Sequence, residues 1–206
     1  CDAIVQAFVE LELVPTDDNQ HACAVDVFQG PAPLRNVITK EELPFLVGRE
    51  NACWAKGVQQ NSRADLFLRD LKIQQWGCEQ LQEVLKHKYC DFVNEADGEW
   101  LISRSDTWMR KLYTLLAEAI RKGECDSRTV QQCRIMRVME DGDQTHVESS
   151  IARFPKRGYR ELPQVKRSVL RGRNQEATQA IHDSLVVLGV AEIGDDDRIE
   201  LLLETY

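Results

Sequence analysis

Several patterns that identify membrane proteins, metal sites and enzymes are missing from this sequence. No apolar run approaches the roughly 18–20 residues of a membrane-spanning helix, so we expect no membrane partner. No two cysteines form a CxxC pair, which argues against a zinc ribbon and a thioredoxin-like redox site. There is neither a Gly-x-Ser-x-Gly elbow nor a glycine-rich phosphate loop. We therefore predict no catalytic, cofactor-binding or metal site in these residues.

The remaining candidates for chemistry have simpler structural explanations. His87 and Cys90 have a ligand-like spacing, but no second pair follows at a spacing that would complete a metal site. A solvent-exposed helix end explains them better. Carboxylates cluster at residues 17–18, 141–143 and 195–197, where helix caps and turns account for them.

The composition is that of an ordinary globular chain with an acidic balance. Hydrophobic residues make up 43% and charged residues 29% of the 206 residues, so the chain can bury a real core. The length suits one medium domain or two small ones. The net charge of −8 argues against a general affinity for nucleic acid.

The seven cysteines favour a reducing compartment. Their number is odd, their spacing is wide, and most lie among apolar neighbours, as in Ala22-Cys23-Ala24 and Ala52-Cys53-Trp54. Reduced, buried thiols are the simplest interpretation, so we expect a cytoplasmic protein. The chain has no initiator Met and ends on an unfinished helical pattern, from which we expect a piece of a longer protein. A lipoprotein terminus at Cys1 is the alternative, although no polar tether follows it.

Residues 132–155 contain the clearest local signal. Met136 and Val138 predict one β-strand, and a second arm runs through Val147 toward Phe154. Between the arms lies Asp141-Gly142, a pair that tolerates the positive φ angles of a type I′ turn. We predict a β-hairpin here.

Helical spacing is strongest between Ser105 and Gly123. Ser105 can cap the N-terminus, Arg121 and Lys122 suit the C-terminal dipole, and Gly123 suits the left-handed position after it. The apolar residues at helical spacing are Trp108, Leu112, Leu115, Leu116 and Ala119. We predict one long amphipathic helix that buries them.

Shorter segments are predicted before it. A helical pattern over residues 3–11 precedes the turn formers Asp17-Asp18-Asn19 and a returning strand over 22–28. Thr39 and Glu42 form a capping box for a short helix.

A helix pair is predicted after each hairpin. In the first pair, one helix begins at Ser62 and the next ends near Tyr89; residues 91–104 then form a polar connector. In the second pair, a helix spans 174–188 and another is capped by residues 195–197. The residues expected to face the core are Ala64, Phe67, Leu68, Leu71, Leu81, Val84, Leu85, Ile199, Leu202 and Leu203.

The two halves follow the same order of elements. A shift of 117 residues places Leu68, Leu71, Ile73, Trp76, Leu85 and Tyr89 on Leu185, Leu188, Val190, Ile193, Leu202 and Tyr206. A shift of 123 places the turn at 17–19 on the turn at 140–142. We predict a predominantly helical α+β fold with two copies of helix, β-hairpin and helix pair, over 1–104 and 105–206. The alternative is that helical hairpins share this spacing through generic packing.

One stretch is strongly basic. Eight cations between residues 153 and 173 are accompanied by a single carboxylate, Glu161. Such a strip can contact phosphate backbones or an acidic partner, and a tyrosine within it can stack on a base. The candidate contact residues are Arg153, Lys156, Arg157, Tyr159, Arg160, Lys166, Arg167, Arg171 and Arg173.

Three short phrases resemble a known family. They are VELELVPTD at residues 9–17, RIMR at 134–137 with Asp141-Gly142, and Leu188-Gly189-Val190. Together they resemble the region downstream of the ATPase domain in large bacterial proteins with a GHKL-type, sacsin-like ATP-binding domain. The first turn departs from that pattern, because Asp18-Asn19 stands where the family has Asp-Gly. The nucleotide-binding signatures of the superfamily are not in these residues, so the resemblance implies a segment coupled to an ATPase domain elsewhere.

We therefore hold three hypotheses. The first is a non-catalytic scaffold or interaction module of a larger, ATP-dependent cytoplasmic bacterial protein, whose partners are other domains of its parent chain or other proteins. The alternative is a nucleic-acid-binding module that acts through residues 153–173. The third is an enzyme of a kind that the sequence does not identify.

Overall fold

The structure is a computed structural model that describes residues 11–58, 61–90 and 93–205. The fold is α+β and predominantly helical, as predicted. The chain forms two compact units, Cys1–Leu81 and Gln82–Tyr206. The predicted division of the repeating plan after residue 104 stays a prediction. Within the described ranges, no helix is long and apolar enough to cross a membrane.

The first unit combines short strands with short helices. Its elements in chain order are β1 Glu12–Pro15, β2 His21–Cys23, a 3-10 turn Ala24–Asp26, β3 Val27–Gln29, α1 Ala32–Arg35, α2 Leu43–Val47, β4 Cys53–Trp54, α3 Arg63–Asp70 and β5 Gln74–Gln75. The next helix, α4 Cys78–Tyr89, contains the division between the units.

Helices dominate the second unit. Its elements are α5 Glu95–Ser103, α6 Asp106–Lys122, α7 Ser127–Gln132, β6 Met136–Glu140, β7 Asp143–Val147, β8 Gln164–Val165, α8 Arg167–Leu170, α9 Gln175–Val187 and α10 Asp195–Thr205. The long helix α6 packs against α9 and α8.

The hairpin predicted in residues 132–155 is confirmed. β6 and β7 are antiparallel, with Glu140 opposite Asp143, so the turn consists of two residues. Asp141 has φ 49° and Gly142 has φ 99°, the left-handed values for which an Asp-Gly pair is suited. The second strand ends at Val147, earlier than the predicted arm.

The cap predictions for the long helix are also confirmed. Ser105 accepts a hydrogen bond from the Trp108 amide, and Gly123 adopts φ 75° at the C-terminus. The inward face of α6 is buried as predicted. Asn174 caps α9 in the same way, through the Ala177 amide.

Strands have the same neighbours in both units. In the first, β1 pairs with β2, Thr16 bridges Ala55, and β3 lies in parallel between β4 and β5. In the second, β6 pairs with β7 and with β8, and Arg153 lies in parallel between Gln164 and Ala191. In the first unit the spatial order is the hairpin β1–β2, then β4, β3 and β5. In the second unit it is the hairpin β6–β7, then β8, the segment at Arg153 and the segment at Ala191. Both units therefore have the same spatial order of strands. We call this arrangement, with its hydrogen bonds, the backbone frame.

Specific hydrogen bonds of the frame recur as well. The amide of Ala55 donates to the Phe28 carbonyl at 2.9 Å, and the amide of Val165 donates to the Arg153 carbonyl at 2.9 Å. One residue further on, Lys56 donates to Pro15 at 2.8 Å. Its counterpart Lys166 donates to Arg137 at 3.2 Å.

The turns after α3 and α9 close in the same way. The Ile73 amide donates to the Leu68 carbonyl at 3.3 Å, and 117 residues later the Val190 amide donates to Leu185 at 3.0 Å. This six-to-one bond is typical of a Schellman motif, in which the preceding residue is left-handed. Lys72, which precedes Ile73, has φ 53°, and Gly189, which precedes Val190, has φ 100°. The six apolar residues at these corners are all buried: Leu71, Ile73, Trp76, Leu188, Val190 and Ile193.

Some predicted elements differ from the structure. The predicted connector at 91–104 contains a helix, α5, which Asn94 caps through the Asp97 amide. Its apolar residues are few, so the periodicity did not indicate it. The strand predicted over 22–28 is interrupted by the 3-10 turn at 24–26.

Several apolar residues predicted to face the core are exposed. On α3, Ala64 and Phe67 are exposed, because Asp65 takes the inward position and accepts the Asn61 amide. On α10, Ile199 and Leu203 are exposed as well. The predicted side-chain position of Leu202 and the predicted helix at 3–11 lie outside the described residues.

Candidate binding cleft

A cleft of about 800 Å³ lies beside the hairpin turn of the second unit. One wall is formed by the turn and the end of β6, and the other by the loop before β8 and the start of α8. The lining residues are Met139, Asp141, Gly142, Pro155, Lys156, Arg157, Gly158, Arg160, Gln164, Val165, Lys166, Arg167 and Ser168. Its volume falls within the roughly 300–1,000 Å³ of ligand pockets.

The loop over residues 155–160 is held at both ends. The side chain of Gln164 accepts a hydrogen bond from the Lys156 amide at 2.7 Å and donates to the Tyr159 carbonyl. Between these contacts Gly158 has φ 90°, a conformation that glycine adopts without strain. The Asp141 amide donates to the Arg160 carbonyl at 3.0 Å, which fixes the hairpin turn against the loop.

The charge of the cleft is strongly positive. Asp141 is the one carboxylate among its lining residues. Five lining residues are cationic: Lys156, Arg157, Arg160, Lys166 and Arg167. All except Lys166 are exposed, and within residues 11–58, 61–90 and 93–205 none of those four forms an ion pair. Their charge is therefore available to a ligand.

Lys166 differs from the other four. Its ammonium group lies 3.2 Å from a carboxylate oxygen of Asp106 and donates to the Gln144 side chain at 2.7 Å. We therefore assign Lys166 to the support of the cleft wall.

The other predicted contact residues do not line the cleft. Arg153 forms an ion pair with Asp197, in which its Nε and Nη2 atoms lie 2.9 and 2.8 Å from the same carboxylate oxygen, and its charge is satisfied there. Tyr159 is half-buried and does not line the cleft, and the Lys156 ammonium lies 5.6 Å from its ring centroid. Arg171 and Arg173 follow α8 and are exposed.

Sequence reasoning missed the uncharged lining residues. Met139 provides apolar surface, Val165 is almost fully buried, and Gln164 holds the loop. Gly142 and Gly158 line the cleft without a side chain. Gly142 and Gly158 were the available signal, because glycine permits close approach of a ligand to the backbone.

The first unit has a smaller cleft at the corresponding place. It measures about 280 Å³ and is lined by Thr16, Asp17, Asp18, Arg35, Thr39, Lys40, Cys53 and Trp54. Its charges are balanced, because Asp17 pairs with Arg35 and Asp18 lies 3.7 Å from Lys40. Thr16 donates to Asp18 at 2.5 Å, and this bond and Lys40 hold the pKa of that carboxyl below its usual value.

A buried arginine supports the larger cleft from behind. Arg137 lies on β6 and donates to Asp106 at 2.8 Å and to the carbonyls of Leu101 and Ile102 at 3.0 and 3.2 Å. Asp106 also accepts a hydrogen bond from Ser168 at 2.5 Å. This network joins α5, α6, β6 and α8, and it positions the strand and the helix that carry cleft residues.

Neither a metal site nor a reactive thiol is found among the described residues. Within the described residues, no three histidine, cysteine, aspartate or glutamate side chains are placed to hold a metal ion. The sulfur atoms of Cys90 and Cys133 lie 2.7 Å apart, and burial raises the pKa of the Cys133 thiol, which keeps it protonated and weakly reactive.

Comparison of this chain with protein-family models, with curated proteins and with solved structures found no match.

Proposed function

We propose that this chain is a non-catalytic interaction module of a larger, ATP-dependent cytoplasmic bacterial protein, and that it consists of two copies of one motif. The observation that carries the proposal is the backbone frame common to both units. Generic helical hairpins share helix spacing, but they have no reason to share strand neighbours and the same interstrand hydrogen bonds.

The side chains on the frame support divergence after duplication. Phe28 occupies the central strand of the first unit, where Arg153 stands in the second. Gln164 likewise stands in the second unit where Trp54 stands in the first. Phe28 and Trp54 are both buried apolar residues. The bonds of the frame join backbone atoms, so these replacements leave it intact.

Repeated motifs of this kind build extended surfaces, because each copy presents its own side chains on a common backbone. The two clefts beside the hairpin turns are such a pair of surfaces. They occupy corresponding places and differ in size and charge. This difference supports two separate contact roles for the copies.

The link to ATP rests on the sequence resemblance. In the sacsin-like family, this kind of segment lies downstream of the ATPase domain, and Asp141-Gly142 and Gly189 stand at the turns where the family has its recurring glycines. We propose that the module couples contacts made by its clefts to an ATPase domain in the same parent chain.

The parent protein provides the test. We expect an ATPase domain in the same polypeptide. Deletion of residues 11–205 should leave its ATP affinity unchanged and alter its steady-state ATPase rate, because the module would transmit contacts without holding nucleotide. A matched control is Lys122→Ala, an exposed change on α6 that should alter neither quantity. A parent chain without an ATPase domain, or loss of ATP binding in a folded deletion variant, contradicts the proposal.

A further inference from the structure

We propose that the basic cleft of the second unit binds the phosphate backbone of a single-stranded nucleic acid. The inference goes beyond the interaction module proposed above, and it stands on the contents of the cleft whether or not the two units arose by duplication.

The first step is the excess of unpaired charge. Lys156, Arg157 and Arg160 on the loop and Arg167 on α8 line one cleft. Like charges repel one another, so a group of four exposed cations lowers stability unless an anion joins them. Asp141 offsets one of them at most. The net excess therefore favours a ligand with several negative charges.

The second step is a comparison within the molecule. The corresponding cleft of the first unit carries two carboxylates and two cations, paired as Asp17–Arg35 and Asp18–Lys40. The backbone frame is the same, so the fold itself does not impose an excess of positive charge at this place. The excess is a property of the second cleft alone.

The third step is the chemistry of the cations. Three of the four are arginines, whose planar guanidinium groups form paired hydrogen bonds with phosphate. Gly142 and Gly158 leave the backbone open on the two walls, since a Cβ atom at either position would meet nothing within 4 Å. Met139 is half-buried and adds apolar surface, against which a sugar or the face of a base can pack.

The fourth step is the extension of the charge beyond the cleft. Arg171 and Arg173 continue the cationic strip after α8, and the side chain of Arg110 on α6 donates to the Arg171 carbonyl, which adds a further cation there. A strip longer than one pocket suits a linear polyanion better than a compact ligand. The volume of about 800 Å³ limits the enclosed part to a short stretch of one strand.

Fluorescence anisotropy tests the proposal with a labelled mixed-sequence 12-nucleotide single strand, as DNA and as RNA, at about 50 mM salt. Four phosphate contacts predict a salt slope of about −3, so affinity should fall about 50-fold between 50 and 200 mM salt. No binding at the lower salt concentration would overturn the proposal.

Matched variants separate the cleft from general electrostatics. In the cleft variant, Arg157→Ala, Arg160→Ala and Arg167→Ala remove three exposed cations. In the control variant, Lys86→Ala, Lys122→Ala and Arg128→Ala remove three exposed cations outside the cleft. We expect a loss of affinity of at least tenfold for the cleft variant and less than twofold for the control, with equal thermal unfolding curves. Equal losses in both variants would contradict a specific site.

Competitors identify the class of ligand. We expect an unlabelled single strand to compete, and we expect polyglutamate of equal charge and inorganic phosphate to compete at least tenfold less well. Polyglutamate that competes as well as the strand would assign the cleft to acidic peptides. Inorganic phosphate that displaces the strand at equal concentration would assign it to small anions. Either result overturns the proposal and leaves the interaction module untouched.

Discussion

Arg137 and Asp106 form an ion pair of 2.8 Å in which the arginine side chain is only 2% exposed. The guanidinium also donates to two backbone carbonyls of α5 and to the His146 ring, so each of its three nitrogens has a partner. Removal of one member of such a pair leaves a buried charge without compensation.

Asp106→Asn should therefore lower the free energy of unfolding by about 3 kcal/mol, as measured by urea denaturation. The control is Asp196→Asn, an exposed carboxylate in the first turn of α10. It removes a similar favourable contact with a helix dipole but no buried partner, so we expect a change below about 1 kcal/mol. Equal losses in the two variants would show that the ion pair contributes little.

The same carboxylate predicts loss of stability in acid. Partial burial raises the pKa of Asp106, but hydrogen bonds from Ser168, Arg137 and Lys166 lower it by a larger amount. The net effect is a pKa of about 2, compared with 3.8 for a free aspartate. The unfolded chain therefore takes up this proton first as the pH falls. About 2 kcal/mol of stability, present above pH 4, should be lost between pH 4 and pH 2. Urea denaturation across this range should show a smaller loss for Asp106→Asn than for the wild type.

His146 predicts a second loss of stability in acid, at a higher pH than the loss expected from Asp106. Burial and the nearby charge of Arg137 lower the pKa of His146 from 6.5 to about 4. The neutral ring faces Arg137, with its Nε2 atom 3.3 Å from the guanidinium Nε. Protonation occurs first in the unfolded chain, so stability should fall by about 3 kcal/mol between pH 6.5 and pH 4. His146→Gln keeps a hydrogen-bond acceptor and should abolish this slope; a slope that persists would assign it to other groups.

Truncation of the buried corner residues Trp76 and Ile193 should lower the stability of the protein. Trp76 is 4% exposed and Ile193 is 6% exposed. Trp76→Ala should lower the free energy of unfolding by about 3–5 kcal/mol and Ile193→Ala by about 2–5 kcal/mol, since each leaves a cavity. Val186→Ala, at an apolar position that is 51% exposed, is the control and should change it by less than about 0.5 kcal/mol. A negligible change in the free energy of unfolding for either variant would show that its residue contributes little to the core.

The left-handed turn positions Lys72 and Gly189 should respond in opposite directions. Lysine at φ 53° is strained, so Lys72→Gly should raise stability by up to about 1 kcal/mol. Gly189→Ala should lower it by more than about 1 kcal/mol, because a side chain there is strained and its Cβ would lie 3.1 Å from Gln131. Gly57→Ala, in open space, is the control for the loss of backbone freedom. Changes of the same sign at both turns would contradict this account of the turns.

The elements found from sequence are those whose signal is local. The turn at Asp141-Gly142 and the caps at Ser105 and Gly123 depend on residues within a few positions of one another. The core residues Leu71 and Leu85 were found because apolar residues at helical spacing indicate the buried face of a helix.

The elements missed depend on distant partners. Arg137 appears in the sequence as one more charged residue, and its burial follows from Asp106, 31 residues away, and from the carbonyls of α5. The basic cluster could be recognised by composition, but its division into free and paired cations could not. Arg153 is paired by Asp197, 44 residues away, and no local pattern indicates that contact.

The bonds of the backbone frame between Ala55 and Phe28 and between Val165 and Arg153 involve no side-chain atoms. Selection can therefore act on the cleft residues of one unit without disturbing these backbone bonds in either unit. Charge, size and specificity at the two clefts are free to evolve at different rates, and close relatives of this protein can differ most at the residues that make contact while keeping the same chain path.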